Sequence, residues 1–210
     1  MKSLFNRFSD SAKSLRETRT LTTTGVMLAL AVVLRSMSVP ITEDIRIVFS
    51  FVPICVIGML YGPVVCAMAS VSLDIIGFMV DTKTMRGYSP QLSLLEFVIG
   101  IVYGLVLYKR TAKFCGWDIA KIITARLLVV GVLNICVRSY LMYTMYVNPG
   151  FSLFSADPAQ RQAFLLYLDP RIVKSAVEFP IDIIIMSVML PISLQAYNRS
   201  GVGLRNKKNT

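Results

Sequence analysis

Two carboxylic acids stand inside stretches that are otherwise apolar enough to cross a membrane. Asp74 and Glu96 lie within residues 50–108, a segment with enough apolar sequence for three consecutive spans of about 20 residues each. A carboxylate in hydrocarbon is costly unless a partner pairs with it, and such a residue often marks the path of a substrate or an ion. The sequence therefore predicts that both acids face a polar interior and not lipid.

Other charged and polar residues recur at helical spacing in the apolar segments. One stripe, with spacings of 3, 4 and 4 residues, contains Arg171, Lys174, Glu178 and Asp182. Shorter polar stripes pair Asp74 with Ser70, Glu96 with Ser93, and Arg138 with Asn134. Arg35 lies near the end of the first apolar segment. We expect these faces to point into a helix bundle, where charged side chains find partners.

Two interpretations of these buried charges stay open from the residues alone. They are either structural ion pairs that hold the bundle together, or the lining of an outward-facing cavity of mixed charge. Such a cavity suits a zwitterionic or anionic organic solute. Arg and Lys would bind its carboxylates, and Asp or Glu would accept hydrogen bonds from an amidine-like edge.

The composition indicates a compact membrane domain and argues against a metalloenzyme. The chain has 210 residues, of which 55% are hydrophobic and 16% charged, against roughly 25% charged in soluble domains. Histidine is absent and the four cysteines form no C-x-x-C pair, so we predict no metal site and no cofactor. The sequence also lacks the G-x-x-x-x-G-K-[ST] loop that binds ATP in many transport ATPases.

The apolar pattern predicts an all-α integral membrane protein with six spans. They lie at about residues 21–39, 47–61, 64–80, 91–108, 122–147 and 172–197. We expect one membrane domain, residues 21–197, preceded by an amphipathic, basic segment at 1–20 and followed by a basic tail at 198–210. Residues 148–170 are predicted to be the longest connection, with an amphipathic piece from Arg161 to Leu168.

Lysine and arginine are concentrated on one side of this arrangement. The two tails and the loop between the fourth and fifth spans contain thirteen basic residues, whereas the opposite connections contain six. The positive-inside rule therefore places both termini in the cytoplasm. The intramembrane charges then lie in the outer half of the bilayer, except Asp182 near its middle and Arg126 near the cytoplasmic end of the fifth span.

The first span has a second face made of small residues. Gly25, Ala29, Val32 and Ser36 follow helical spacing, about 90° around the helix from Arg35. Small side chains at this spacing allow another helix to approach closely. From the residues alone, that helix belongs either to the same bundle or to another protein.

Several motifs point to a known family. They are R-I-V-F-S-F-V-P-I at 46–54, G-M-L-Y-G-P at 58–63, D-I-I-G at 74–77, I-V-Y-G-L at 101–105 and P-R-I-V-K at 170–174. Together they resemble the substrate-binding S components of energy-coupling factor (ECF) vitamin transporters, and most of all the folate-specific branch. The similarity extends over most of residues 21–197.

The resemblance implies a six-helix, multi-pass protein of the bacterial cytoplasmic membrane that binds folate or a related pterin. It implies an extracellular pocket closed by the first and third outer loops, a transmembrane T subunit, and two separate ATP-binding subunits that supply energy. The implied T-subunit docking residues are Gly25, Ala29 and Val32. The expected substrate-binding residues are Arg35, Asp74, Tyr88, Glu96, Asn134, Arg138, Arg171, Lys174 and Glu178.

The sequence also departs from the folate branch. Folate members read like Y-F-P-G-F-T-L-S where this chain has Y-S-P-Q-L-S-L from Tyr88, and Glu178 and Asp182 add acid where Met and Gln are usual. Another vitamin therefore stays open as the ligand. Two other function classes also stay open: an ion-coupled secondary transporter, and an integral membrane transferase, each using Asp74 and Glu96.

Overall fold

The computed structural model describes residues 2–37, 39–40, 46–80, 88–108, 116–149 and 158–199, and these are almost entirely helical. In chain order the α-helices are α1 (Lys2–Ser14), α2 (Thr18–Ser36), α3 (Phe51–Tyr61), α4 (Pro63–Val80), α5 (Pro90–Leu107), α6 (Gly116–Leu127), α7 (Ser139–Met142) and α8 (Pro158–Arg199). Predictions on the outer loops, on most of the basic loop after α5 and on the basic tail lie outside the described residues.

Two features interrupt the α-helical pattern. A pair of two-residue strands, β1 (Val39–Pro40) and β2 (Arg46–Ile47), is antiparallel. Two π-helical segments, Leu128–Arg138 and Tyr143–Val147, join α6 and α7 into a single long helix, residues 116–147. Because it contains the fifth predicted span, we call it the long fifth helix. A π-helix makes i→i+5 hydrogen bonds, so it takes more residues per turn than an α-helix and rotates the face that follows.

Four helical segments among the described residues are long and apolar enough to cross a membrane. They are α4, α5, residues Ile119–Val147 and α8. The apolar helix α3 is shorter, with 11 residues, and α2 has 19 residues but begins with a threonine-rich, polar turn. The prediction of an all-helical, multi-pass membrane protein agrees with these lengths.

The centre of the bundle is α3, which is apolar on every side. Eight of its eleven residues are buried, and it packs against α2, α4, α5 and α8. A helix that is hydrophobic all round belongs in a core. Its length of 11 residues is explained by Gly62, which has φ of +90° and turns the chain directly into α4.

Helices α4 and α5 approach closely because glycine lines their contact. A Cβ at Gly104 would lie 2.3 Å from Cα of Pro63, and one at Gly100 would lie 2.6 Å from Cα of Ala67. Small residues four positions apart allow this approach in membrane helices. The pair therefore forms a rigid wall on which polar side chains are held in register.

The N-terminal helix α1 lies against one end of this wall. Ser11 is fully buried, and its Oγ accepts hydrogen bonds from the backbone N–H groups of Val64 at 3.1 Å and Val65 at 3.4 Å. Arg7 donates to the carbonyl oxygen of Leu105 at 3.0 Å. Helix α1 thus satisfies free backbone groups at the start of α4 and near the end of α5.

The last helix differs from its predicted form. The sequence places a break at Pro170, yet α8 runs without interruption for 42 residues and has three prolines in its interior. Its length is about 63 Å at 1.5 Å per residue, roughly twice the hydrocarbon thickness of a bilayer. An aromatic cluster stabilises the extension: the ring centroid of Tyr143 lies 5.1 Å from that of Phe164 and 5.3 Å from that of Tyr167. This packing offsets the loss of the backbone hydrogen bonds that proline cannot make.

Candidate functional site

A cavity of about 430 Å³ opens in the half of the bundle that lies away from α1. It is lined by the end of α2, the start of α3, the middle of α4, the start of α5, the long fifth helix and α8. The volume falls within the range of roughly 300–1,000 Å³ typical of small-molecule sites. The wall combines apolar side chains with an unusual density of charge.

Eight charged side chains line the cavity, and they form four ion pairs. The pairs are Arg35 with Asp74, Arg138 with Glu96, Lys174 with Glu178, and Arg126 with Asp182. Four cations and four carboxylates give the lining a formal charge of zero. The site therefore offers both signs of charge at close range, which suits a ligand with both acidic and hydrogen-bond-donating groups.

The first pair belongs to a chain of polar contacts that ends at Tyr88. Arg35 Nη1 lies 3.9 Å from Asp74 Oδ1, and Ser93 donates to Asp74 Oδ2 at 2.5 Å. Because the Ser93 proton is used there, the Tyr88 hydroxyl donates to Ser93 Oγ, at 2.7 Å. A Cβ at Gly77 would lie 2.5 Å from the Arg35 guanidinium carbon, so this glycine makes room for the cation.

The second pair joins α5 to the first π-helical segment. Arg138 donates through Nη2 to Glu96 Oε1, and both side chains are partly exposed to the cavity. Arg138 Nε and Asn134 Oδ1 are buried and have no hydrogen-bond partner within the described chain. Such groups are unfavourable unless a ligand or water satisfies them. Ser70, on α4, also lines the cavity, but its Oγ lies in the α4–α5 contact, where a Cβ at Gly100 would be 2.8 Å from it.

The floor of the cavity is a cluster around Arg126, whose three guanidinium nitrogens all donate hydrogen bonds. Its Nε and Nη2 both donate to Asp182 Oδ2, the former at 2.9 Å, and its Nη1 donates to the Tyr103 hydroxyl at 2.5 Å. The guanidinium also lies over the Phe51 ring, 4.0 Å from the centroid. Burial of this pair is nearly complete, with 9% of Arg126 and 2% of Asp182 exposed.

Helix α8 supplies the last pair and positions Arg171 differently. Lys174 Nζ lies 3.5 Å from Glu178 Oε1, one helical turn along. Arg171 does not line the cavity: it lies over the Tyr167 ring at 4.4 Å and donates to the Tyr167 hydroxyl at 2.5 Å and to Ser139 Oγ at 3.4 Å. Its charge therefore lies among the aromatic residues that support the α8 extension.

Seven of the nine residues predicted to bind substrate lie on the cavity wall: Arg35, Asp74, Glu96, Asn134, Arg138, Lys174 and Glu178. Tyr88 and Arg171 are outside it, Tyr88 being linked to it through Ser93. Two residues of the floor, Arg126 and Tyr103, were not among the predicted substrate-binding residues, although Tyr103 follows Glu96 on the same polar stripe. Asp182 was placed on the right stripe, but its partner was not identified.

The small-residue face of α2 divides into exposed and packed parts. Gly25 and Ala29 are exposed, and a Cβ at Gly25 would meet nothing within 4 Å. Val32 is half-buried and packs against the core beside fully buried Ala31. The surface around Gly25 and Ala29 is apolar and available to another helix.

Metal ligands do not cluster in the part of the chain that the structure describes. No group of three or more Cys, Asp or Glu side chains there is arranged to hold a metal ion. The four acids of the cavity instead lie against four cations.

Comparisons with known proteins agree with one another. A family profile described as "ECF transporter, substrate-specific component" matches residues 19–190. The chain is 27% identical to the folate transporter FolT of Clostridium novyi over 145 residues, which is 69% of this chain and 72% of that protein. It is 24% identical to FolT of Leuconostoc mesenteroides subsp. mesenteroides over 167 residues, 80% of this chain and 82% of that one.

A solved structure is similar in fold as well as in sequence. A crystal structure of FolT bound with folic acid superposes with a TM-score of 0.63 at 28% identity, and the match covers 81% of this chain and 91% of that one. The similarity therefore includes most of the helical bundle.

Proposed function

The chain belongs to the family of substrate-specific components of ECF transporters, and on this basis we propose that it captures folate for an ATP-driven importer. A substrate-specific component is not an enzyme; ATP hydrolysis belongs to separate partner subunits. The folate transporters similar to this chain, and the structure of one of them with folic acid, support folate or a related pterin as the ligand.

The observation that most favours ligand capture is the convergence of unsatisfied polar atoms on one cavity. Asn134 and Arg138 line it, and Asn134 Oδ1 and Arg138 Nε are buried without a partner among the described residues. Folate has two carboxylates at one end and an amidine-like donor edge at the other. Cavity cations suit the first and cavity acids the second.

We assign substrate contact to the seven predicted residues on the cavity wall. Tyr88 and Arg171 have an indirect role, through other residues. Tyr88 orients Ser93, and through it Asp74, while Arg171 supports the extension of α8. The floor residues Arg126, Asp182 and Tyr103 join the site as its structural base.

The proposed topology has six spans, α2 to α5, the long fifth helix and α8, with both termini in the cytoplasm. The segment before residue 21 and the tail after residue 197 then lie on the same side. Two contacts support this. Ser11 of α1 bonds to Val64, and the Tyr197 ring of α8 lies 6.2 Å from that of Tyr61. Both ends of the described chain therefore meet at the α3–α4 turn, as an even number of spans requires. The excess of basic residues supports the cytoplasmic side of a bacterial membrane.

The proposed partners are a transmembrane T subunit and two ATP-binding subunits. Docking takes place on the face of α2 formed by Gly25 and Ala29, with half-buried Val32 at its edge. Support comes from the exposure of that face and from the open space around Gly25. Close helix contact without a bulky side chain is the usual mode of association in lipid.

Folate binding to the purified protein in detergent tests the proposal. Titration calorimetry should show one site, and Arg138→Gln should weaken binding by about tenfold or more, because a carboxylate loses a charge-assisted partner worth about 1.5–3 kcal/mol. Native mass spectrometry should find folate or a pterin bound to protein purified from cells.

A folded protein that binds neither folate nor a pterin would overturn the assignment. Accumulation of folate in liposomes by this chain alone, driven by a proton or sodium gradient, would instead favour the ion-coupled secondary transporter.

A further inference from the structure

Two arginines of the cavity use the same edge of the guanidinium in different ways. The Nε and Nη2 atoms of arginine form a fork that binds a carboxylate with two parallel hydrogen bonds. Arg126 directs both at Asp182. Arg138 directs Nη2 at Glu96, while its Nε has no partner within the described residues. The fork of Arg138 is therefore half occupied.

Exposure shows which of these two pairs can open. Asp182 is 2% exposed, so losing Arg126 would leave a buried charge without compensation. Glu96 is 25% exposed and Arg138 is 32% exposed. Water in the cavity can therefore solvate Glu96 when it leaves Arg138. The Arg138–Glu96 pair is the exchangeable one, and the Arg126–Asp182 pair is fixed.

Because the cavity has equal numbers of cations and carboxylates, the binding of an anion depends on displacing Glu96 from Arg138. Each of the four cations already lies near a protein carboxylate, so an anionic ligand meets no excess of positive charge. To use both atoms of the Arg138 fork, a ligand carboxylate has to displace Glu96. Protein and ligand carboxylates therefore compete for the same two donors.

We propose that Glu96 is a specificity-determining residue that competes with the ligand's carboxylate for the Nε–Nη2 fork of Arg138. This inference rests on the proposed function. Glu96 weakens the binding of simple carboxylates, because they gain Arg138 only by displacing it. A ligand that also has a donor edge recovers this loss through further hydrogen bonds in the cavity. The pair thus selects for ligands with both kinds of group.

Three probes separate the two ends of the ligand, with the full chain in detergent and equilibrium dialysis as the measurement. Folate has both groups, p-aminobenzoylglutamate has the two carboxylates without the pterin, and pterin has the donor edge without carboxylates. Glu96→Gln should bind p-aminobenzoylglutamate about tenfold more tightly than the parent does. Pterin has no carboxylate to compete for Arg138, so its affinity should show no such gain.

Two further variants identify the cause of any gain. Glu178→Gln removes one negative charge from the same cavity, so it measures the general electrostatic effect, and its gain should be several-fold smaller. Glu96→Asp keeps the charge but shortens the side chain, so it should also bind the fragment more tightly if pairing with Arg138 is what opposes binding. It also provides a second test if Glu96→Gln does not fold.

The outcomes distinguish this inference from the proposed function. A folded parent protein that binds no folate overturns the proposed function. A parent that binds folate, with Glu96→Gln and Glu96→Asp giving no gain for p-aminobenzoylglutamate, overturns the competition and leaves the proposed function intact. Equal gains in Glu96→Gln and Glu178→Gln also overturn it, because the effect would then be general electrostatics.

Discussion

At the scale of single residues, the absence of a side chain is as informative as the presence of a charge. Gly77 leaves the space that the Arg35 guanidinium occupies beside Asp74. A methyl group there would lie 2.5 Å from the guanidinium carbon, far inside van der Waals contact. The cation is therefore positioned by a residue that cannot itself contact a ligand through a side chain.

Gly77→Ala should weaken folate binding by about tenfold, because Arg35 has to leave its place and a hydrogen bond between its guanidinium and a ligand carboxylate would be worth about 1.5–3 kcal/mol. Titration calorimetry on the purified variant measures this. Gly131→Ala is the matched control, since a Cβ there meets nothing within 4 Å. Unchanged affinity in Gly77→Ala would mean that Arg35 does not contribute to binding.

The buried pair of Arg126 and Asp182 should behave as a unit. Asp182→Leu or Arg126→Met alone should destabilise the protein by about 3–5 kcal/mol, because each leaves an uncompensated buried charge. The double variant should be less destabilised than either single one, since neither charge is left. Reversible unfolding in mixed micelles measures the free energies. Additive losses in the double variant would contradict the coupling.

Residue spacing predicted most of the site but not its floor. Arg138 and Glu96 were each assigned to an inward face, and the structure brings them together. Arg126 was predicted near the cytoplasmic end of the fifth span, away from the other charges, and was not assigned to the site. On a regular α-helix, twelve residues would also turn it about 120° away from Arg138. The π-helical stretch from Leu128 to Arg138 changes that rotation, and both arginines lie on the cavity wall. Hydrophobic periodicity alone does not reveal a change of helix type.

At the scale of the elements, the α4–α5 pair fixes the geometry of the cavity. Asp74 and Glu96 lie on these two helices, and their separation depends on how closely the backbones approach. That approach is set by Gly100 and Gly104 against Ala67 and Pro63. The glycines act at a distance from the ligand, through the spacing of the two carboxylates.

Gly104→Leu should force α4 and α5 apart, because even a Cβ would lie 2.3 Å from Cα of Pro63. We expect a loss of at least about 1–3 kcal/mol in stability, as for other overpacked sites, and weaker folate binding. Thermal unfolding in detergent and calorimetry measure the two effects. Gly25→Leu should leave both unchanged, since Gly25 lies on the open face of α2, and a similar loss there would contradict the assignment.

The extent of α8 could not be read from the sequence. Pro170 indicated a boundary, because proline is unfavourable inside a helix. The aromatic contacts of Phe164 and Tyr167 with Tyr143 join residues more than twenty positions apart. Such tertiary packing is invisible to local propensity, and here it outweighs the proline. The existence of the helices was predictable from apolar length, and the continuity of this one was not.

At the scale of the whole molecule, the cavity and the proposed docking face lie on different surfaces. The cavity lies among the bundle's inward faces, whereas Gly25 and Ala29 lie on the outward face of α2. Ligand binding and docking should therefore be separable by substitution.

Gly25→Leu should abolish folate uptake by cells that express the complete importer, while the purified variant binds folate as tightly as the parent. The added side chain would hold the T subunit's helix away. Uptake of labelled folate and co-purification of the T subunit measure the two steps. Val26→Leu, a change at an exposed side chain that is already bulky, is the control. Normal uptake in Gly25→Leu would show that this face is not the docking site.

The contacts of α1 impose an order on how the protein is made. The hydrogen-bond partner of Ser11 lies 53 residues further along the chain, and that of Arg7 lies 98 residues further. At about 5–20 residues per second of synthesis, Val64 follows Ser11 by about 3–10 s. Until then a 13-residue amphipathic helix is marginal in water and is best held at the membrane surface. The two hydrogen bonds of α1 can thus form only after α4 and most of α5 have been synthesised.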